Sequence, residues 1–151
     1  MLSHKGILIW SIAFLFFFLS PFPNLKAADT TVPIITDIDE ILKANPIEAG
    51  KPVRLITVAQ TEAVTIYVVR SVEGYFLKPH IHKTHDETVY VIKGKGQMLI
   101  NDKWLDIQQG NVHFNPMGKV HSIKHAGGRE ELVVLSVFTL AMKEPDRHFV
   151  Q

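Results

Sequence analysis

The pattern of apolar and polar positions begins with a leader that differs from the rest of the chain. Residues 6–19 form an almost unbroken apolar run, Pro21 and Pro23 break it, and Ala27 lies in a small-residue pair that a peptidase can cleave. This layout is typical of a secretory signal peptide, and the run is shorter than the about 20 residues of a membrane-spanning helix. We therefore expect residues 1–28 to be a cleaved signal peptide, with an uncleaved membrane anchor as the alternative.

A short amphipathic segment follows the leader. Ile38, Ile41 and Leu42 recur at helical spacing, acidic residues fill the first turn, and Thr36 is a suitable N-cap. The pattern predicts a short helix that ends before a proline, within an N-terminal arm over residues 29–50.

From Val53 onward the chain consists of short apolar runs, rich in β-branched and aromatic residues, with polar turns between them. Many short strands separated by turn signals favour an antiparallel sandwich or barrel, and Asn101-Asp102-Lys103 predicts a hairpin. We expect an all-β domain over residues 51–142 and a polar tail over 143–151, packed either along the barrel or against a second subunit. The predicted strands are 53–58, 64–69, 88–92, 97–100, 104–107, 112–114, 120–123 and 132–140.

Composition limits the possible functions. The chain has no cysteine, which excludes disulfides and a lipid-modified cysteine at the cleavage site. Removing the leader with Lys5 and Lys26 leaves a nearly neutral domain without a basic patch, so we expect no nucleic-acid partner.

The candidate chemistry lies in the middle of the chain. His80 and His82 are two residues apart in an apparent strand, so their side chains point to the same face. Glu87 begins the next apolar run after a polar turn. Two imidazoles and one carboxylate from neighbouring strands can converge on one metal ion.

Two glycine-bounded stretches resemble the two motifs of the cupin superfamily. The first motif is matched at every fixed position, and the second at all but its last, where His125 replaces asparagine. The matching residues are Gly74, His80, His82, Glu87 and Gly94 in the first motif and Gly110, Pro116, Gly118 and His121 in the second.

This resemblance implies a cupin-type, jelly-roll β-barrel in which His80, His82, Glu87 and His121 hold one divalent transition metal ion. The carboxylate favours Mn or Fe(II), although imidazole ligands also suit Ni, Cu and Zn. Three histidines and one glutamate would leave one or two coordination positions open. The glycines are interpreted as turn residues that need positive φ.

Other residues have alternative interpretations. His85 could replace the carboxylate as a ligand, lie beside the ligands, or be a solvent-exposed turn residue; the last carries the most weight. His125 and Tyr90 are candidate pocket groups, and His113 is a weaker one. Of the aromatic residues, we expect four to lie in the core or a subunit interface rather than against substrate: Phe76, Tyr90, Phe114 and Phe138.

Two classes of function remain. One is a metal-dependent enzyme, of dioxygenase type or an isomerase, that acts on a small molecule in the periplasm or outside the cell. The other is a non-catalytic module that binds a metal or a small ligand such as a sugar. The resemblance also implies a homodimer.

Overall fold

Two five-stranded antiparallel sheets face each other in the computed structural model, which describes residues 34–150. The predicted all-β, cupin-type architecture with one short helix is confirmed, whereas the predicted leader lies outside the described residues. No helix within residues 34–150 is long and apolar enough to span a membrane. The first sheet has the order β1 (Val53–Gln60), β2 (Val64–Ser71), β9 (Leu132–Thr139), β4 (Asp86–Lys93), β7 (Val112–Asn115). The second has the order β10 (His148–Phe149), β3 (Phe76–Ile81), β8 (His121–His125), β5 (Lys95–Ile100), β6 (Lys103–Gln108).

The helix α1 (Ile38–Ala44) covers the outer face of the first sheet. Its N-cap is Asp37, whose carboxylate accepts hydrogen bonds from two backbone amides of the first turn. The prediction of Thr36 as the N-cap is therefore wrong by one residue. Aspartate suits this position because it also supplies the negative charge that the positive end of the helix dipole favours. The apolar face of α1 packs on a cluster that includes Val68 and Val133, as its spacing predicted.

The main core lies between the sheets. Val89 and Val91 of β4 meet Met98 of β5 and Ile107 of β6, and all four are buried. Since the side chains of a strand alternate between its faces, β2 contributes Val68 to the helix-covered face and Val69 to the inner face. The first sheet is thus covered on both sides in its middle.

Tight turns use the residues that the sequence indicated. Asn101 and Asp102 both have positive φ and connect β5 to β6, which confirms the predicted hairpin. Gly94 shows why glycine is needed most clearly: its φ is +82°, and an added Cβ would lie 2.1 Å from the carbonyl oxygen of Glu131. No side chain fits there without moving the β4–β5 turn away from the backbone that precedes β9.

The C-terminal tail packs along the barrel of its own chain. Its short strand β10 pairs with β3, so that Phe149 lies opposite His80, and the amide of Val150 donates to the carbonyl of Pro79. The sequence left open whether the tail meets the barrel or a second subunit, and the structure places it on the barrel. We call residues 141–150 the C-terminal strap.

Candidate metal centre

Three buried histidines meet at one end of the barrel. His80 and His121 are direct partners on the neighbouring strands β3 and β8, with ring centroids 4.3 Å apart. His82 follows the end of β3, and its ring centroid is 5.1 Å from both others. Each ring offers one nitrogen to a group whose members lie within 4.8 Å of one another. The arrangement is that of three ligands directed at one point.

The backbone fixes which nitrogen each ring presents. Nδ1 of His80 lies 2.9 Å from the carbonyl of Lys78, and Nδ1 of His121 lies 2.9 Å from the carbonyl of Lys119. His82 makes the same contact with the strap, 2.8 Å from the carbonyl of Asp146. Because a carbonyl only accepts, each Nδ1 carries the proton, and each neutral ring keeps the lone pair on Nε2 free. Metal-binding histidines are oriented in this way.

The local environment keeps the imidazoles of His80 and His82 neutral. Burial, with the neighbouring His121 as a further cause, lowers the pKa of His80 from 6.5 to about 4. Burial also lowers the pKa of His82, although its hydrogen bond to Asp146 opposes this. Since a metal competes with protons for the same lone pair, neutral rings suit a metal site at neutral pH.

Glu87 reaches the cluster from the opposite sheet. Its Oε1 accepts a hydrogen bond from Ser136 at 2.5 Å and its Oε2 one from Asn115 at 2.9 Å. Oε2 also lies 3.3 Å from Nε2 of His121. Burial raises the pKa of Glu87, but the hydrogen bonds that its carboxylate accepts lower it by more, so that Glu87 is ionised. A carboxylate is thus in place beside the three imidazoles, in the position that the sequence predicted.

One buried atom at the centre has no partner. Nε2 of His121 makes no hydrogen bond, because this ring donates through Nδ1 to the carbonyl of Lys119, and its Nε2 only lies near Glu87. A buried polar atom without a partner costs about 1–3 kcal/mol. A divalent metal ion would bind this lone pair together with those of His80 and His82. The residues therefore fit a metal.

Comparisons with known proteins agree with this architecture. Residues 67–138 match the family model of the cupin domain, Cupin_2. The fold is that of a cupin. An uncharacterized protein of Aquifex aeolicus (strain VF5) is 28% identical over 109 residues, which cover 70% of this chain and 83% of the relative.

Two solved structures extend the comparison at the level of the fold. A double-stranded β-helix protein from Klebsiella pneumoniae has a TM-score of 0.65 at 20% identity, and the alignment covers 79% of this chain and all of that one. The polyketide cyclase RemF from Streptomyces resistomycificus has a TM-score of 0.59 at 17% identity, with 67% of this chain and 72% of that one covered.

A cavity of about 160 Å³ opens beside the cluster of the cupin barrel. His80, His121 and Glu87 form its polar end. The other walls are mainly apolar and come from both sheets, so a ligand in the cavity would be shielded from water. The apolar lining includes Val53, Leu55, Val69, Leu77, Val89, Met98, Ile123, Leu132, Val134 and Phe138.

His85 does not join the cluster, and its interpretation as a solvent-exposed turn residue is wrong. It is only 7% exposed, its Nδ1 lies 2.8 Å from Asp146 Oδ2, and its Nε2 lies 3.1 Å from the carbonyl of Ala141. Because both ring nitrogens face acceptors in the C-terminal strap, His85 holds the strap to the β3–β4 turn. It contacts the three-histidine cluster only through Asp146, whose backbone carbonyl accepts a hydrogen bond from His82.

The two suggested pocket groups lie elsewhere. Tyr90 is 40% exposed and does not line the cavity, because its position in β4 points away from the barrel interior. His125 is buried at the end of β8, where its ring binds the backbone of Gly127 and Glu130 in the β8–β9 connection. His113 forms a hydrogen bond with Asn115, which in turn binds Glu87. His113 therefore contacts the site only through Asn115.

Of the four aromatic residues expected in the core or a subunit interface, only Phe138 lies in the core, and the interface alternative stays a prediction for the other three. Phe138 is buried, and its ring lies 5.1 Å from that of His82, at the cavity wall. Phe76, Tyr90 and Phe114 are between 40% and 55% exposed, so they are not core residues. Alternation along their strands places these side chains on the outer faces of the sheets.

Sequence reasoning missed the groups that surround the cluster. Ser136 and Asn115 fix Glu87, and the C-terminal strap supplies Asp146 and Arg147. Only Asn115 lies inside a recognised motif, next to Pro116. No local pattern marked the others, because their roles depend on contacts between residues that are far apart in sequence.

The lowered pKa of His80 predicts that the metal-free protein loses stability as pH falls. The folded state binds this proton only near pH 4, whereas the unfolded chain binds it near 6.5, so the contribution is complete above 6.5 and is lost between 6.5 and 4. The shift corresponds to about 3 kcal/mol. Urea unfolding in EDTA at pH 7.5 to 4.5 measures it. His80→Gln should flatten this pH dependence, and an unchanged slope would contradict the assignment.

Proposed function

We propose that this protein is a metal-dependent enzyme of dioxygenase type that acts on a small molecule. The observation that carries the proposal is the cavity that opens onto the three-histidine cluster, since a metal held there would be accessible to a ligand. A buried site closed on all sides would instead favour a binding module.

The proposed metal ligands are His80, His82 and His121, with Glu87 as the fourth. The carboxylate favours Mn or Fe(II) as the ion. Such an ion would supply the redox and Lewis-acid chemistry, including the activation of O₂. Dioxygenation needs no separate reductant, because both oxygen atoms enter the organic substrate.

The protein's own residues would bind and orient the substrate. The apolar walls of the cavity exclude water from the reacting groups. Glu87 is ionised and held in place by Ser136 and Asn115, so it could accept a proton from a substrate whenever it is not bound to the ion.

Two further properties belong to the proposal. The apolar leader over residues 6–19 supports export to the periplasm or the medium. The exposed side chains of Tyr90, Val112 and Phe114, which come from the neighbouring strands β4 and β7, support a homodimer that covers them.

Oxygen consumption tests the proposed reaction. The protein is stripped of metal, loaded with Fe(II) without air, and mixed with a panel of small organic acids, phenols and sugars in an oxygen electrode. We expect uptake of O₂ with at least one substrate in the Fe(II) protein, and none in the metal-free protein or in His121→Ala. Tight binding of a panel member without turnover, under every metal tried, would establish the non-catalytic module instead.

A further inference from the structure

One residue that lines the cavity is positively charged and lies outside the two cupin motifs. Arg147 of the C-terminal strap lines the same cavity as His80, Glu87 and His121. Within residues 34–150 it has no acidic partner within 4 Å and makes no hydrogen bond through its side chain. The carboxylate of Glu87, in the same cavity, is instead occupied by Ser136 and Asn115.

The strap holds Arg147 on both sides. Before it, Asp146 accepts hydrogen bonds from the amide and hydroxyl of Thr84, both at 2.8 Å. After it, His148 pairs with Ile81 of the barrel. Asp146 is 7% exposed, whereas Arg147 is exposed and turned toward the cavity. The backbone that carries Arg147 is thus fixed on both sides of this residue.

Two tyrosines share this part of the cavity. Tyr67 and Tyr75 both line it, and burial raises the pKa of each, while the charge of Arg147 opposes the rise. Their hydroxyl groups therefore stay protonated and can donate hydrogen bonds. The same charge also contributes to lowering the pKa of His80 and His82. The cavity consequently presents one cation and two neutral hydrogen-bond donors near the cluster, besides the carboxylate of Glu87.

We propose that Arg147, assisted by the hydroxyls of Tyr67 and Tyr75, binds the carboxylate of a small monoanionic ligand whose apolar body fills the cavity. This assignment concerns the class of substrate that the site binds, and it rests on the proposed function only for the reaction of that substrate at the metal.

Charge and size decide between anions. The planar guanidinium matches the two oxygens of a carboxylate, and one cation neutralises one negative charge. A phosphate dianion would be left with an unbalanced charge beside Glu87, so a monocarboxylate fits better. An apolar cavity of about 150 Å³ holds a benzene ring. The cavity of about 160 Å³ therefore suits a body of about six heavy atoms.

Binding of benzoate and of its neutral analogue benzamide tests the inference. Titration calorimetry on metal-free protein in EDTA compares the wild type with Arg147→Gln, Arg147→Lys and Arg129→Gln. Arg129 is an exposed arginine outside the cavity, so its variant removes the same charge elsewhere. We expect the wild type and Arg129→Gln to bind benzoate more tightly than benzamide. Arg147→Gln should bind benzoate about 10- to 100-fold more weakly, as the loss of a charge-assisted hydrogen bond implies.

The outcomes separate this inference from the proposed function. An intermediate affinity in Arg147→Lys, which keeps the charge but not the planar fork, would support it. Equal binding of benzoate and benzamide, no benzoate binding at millimolar concentration, or unchanged binding in Arg147→Gln would overturn it. The increase in melting temperature with Mn²⁺ is measured on the same variants. If Mn²⁺ has no effect on any of them, the metal-dependent function fails, while the benzoate comparison still decides the role of Arg147.

Discussion

Replacing His80, His82 or His121 with alanine is expected to abolish the rise in melting temperature that Mn²⁺ gives the wild-type protein. A metal that binds only the folded state stabilises it by about 2.7 kcal/mol at a hundredfold excess over Kd, roughly a 10 °C shift for a domain of this size. Each of these rings supplies one of three converging nitrogens, with the other nitrogen bound to a backbone carbonyl. Thermal unfolding with EDTA and with Mn²⁺ measures the difference.

Two other buried histidines provide matched controls. His85→Ala and His125→Ala also remove a buried imidazole, but these rings bind the strap and the β8–β9 connection. Both variants should melt at lower temperature without metal. His125→Ala should still gain the full shift with Mn²⁺, whereas His85→Ala should keep the metal with a smaller shift, because it removes one of the bonds that hold Asp146 beside His82. Comparing the shift, rather than the melting temperature itself, separates loss of a ligand from loss of packing.

Glu87 decides the composition of the ligand set. Glu87→Ala should weaken Mn²⁺ binding strongly if the carboxylate is a ligand, since its Oε2 lies 3.3 Å from Nε2 of His121. If Glu87→Ala keeps the metal while His85→Ala loses it, the site consists of four imidazoles, and the role of Glu87 is restricted to hydrogen bonding with Ser136 and Asn115.

The parts of this site that the sequence predicted are those set by local geometry. Alternation along a strand places His80 and His82 on one side, and the turn after Pro116 brings His121 opposite His80. The hairpin at Asn101 follows from turn chemistry alone. Such features depend on residues that are near one another in the chain, so spacing is enough to reveal them.

The parts that the sequence did not predict depend on tertiary contacts. His85 was expected at the surface because it lies in a polar turn, but the strap covers that turn and buries it. The side chain of Tyr90 is of a type that often lines pockets, but the register of β4 turns it outward. The position of the polar tail was not predicted, because no local sequence pattern shows that Asp146 and Arg147 reach the end of the barrel.

Asp146 connects the strap to the three-histidine cluster. Its carboxylate accepts hydrogen bonds from Thr84 and His85, and its backbone carbonyl accepts one from Nδ1 of His82. Burial alone raises the pKa of Asp146, but the bonds from His85 and Thr84 lower it well below its usual value. The group is therefore a carboxylate whose contribution to stability is complete above its unfolded pKa of about 3.9 and is lost as pH falls below it.

Asp146→Ala is expected to lower the free energy of unfolding by about 3–5 kcal/mol, because it leaves the buried His85 ring and the Thr84 amide without their acceptor. It should also weaken Mn²⁺ binding by about 10- to 100-fold, because the strap carbonyl that orients His82 loses its support. Urea unfolding measures the first effect, and Mn²⁺ titration the second.

Glu144→Ala is the matched control for Asp146→Ala, since it removes an acidic side chain that is exposed in the same strap. It should leave both quantities unchanged. The paired result identifies the strap as part of the metal centre, because a tail that merely lies on the barrel could lose stability without changing metal affinity. If Asp146→Ala unfolds more easily but binds Mn²⁺ as tightly as Glu144→Ala does, then His82 is oriented without the strap, and the coupling between strap and cluster is absent.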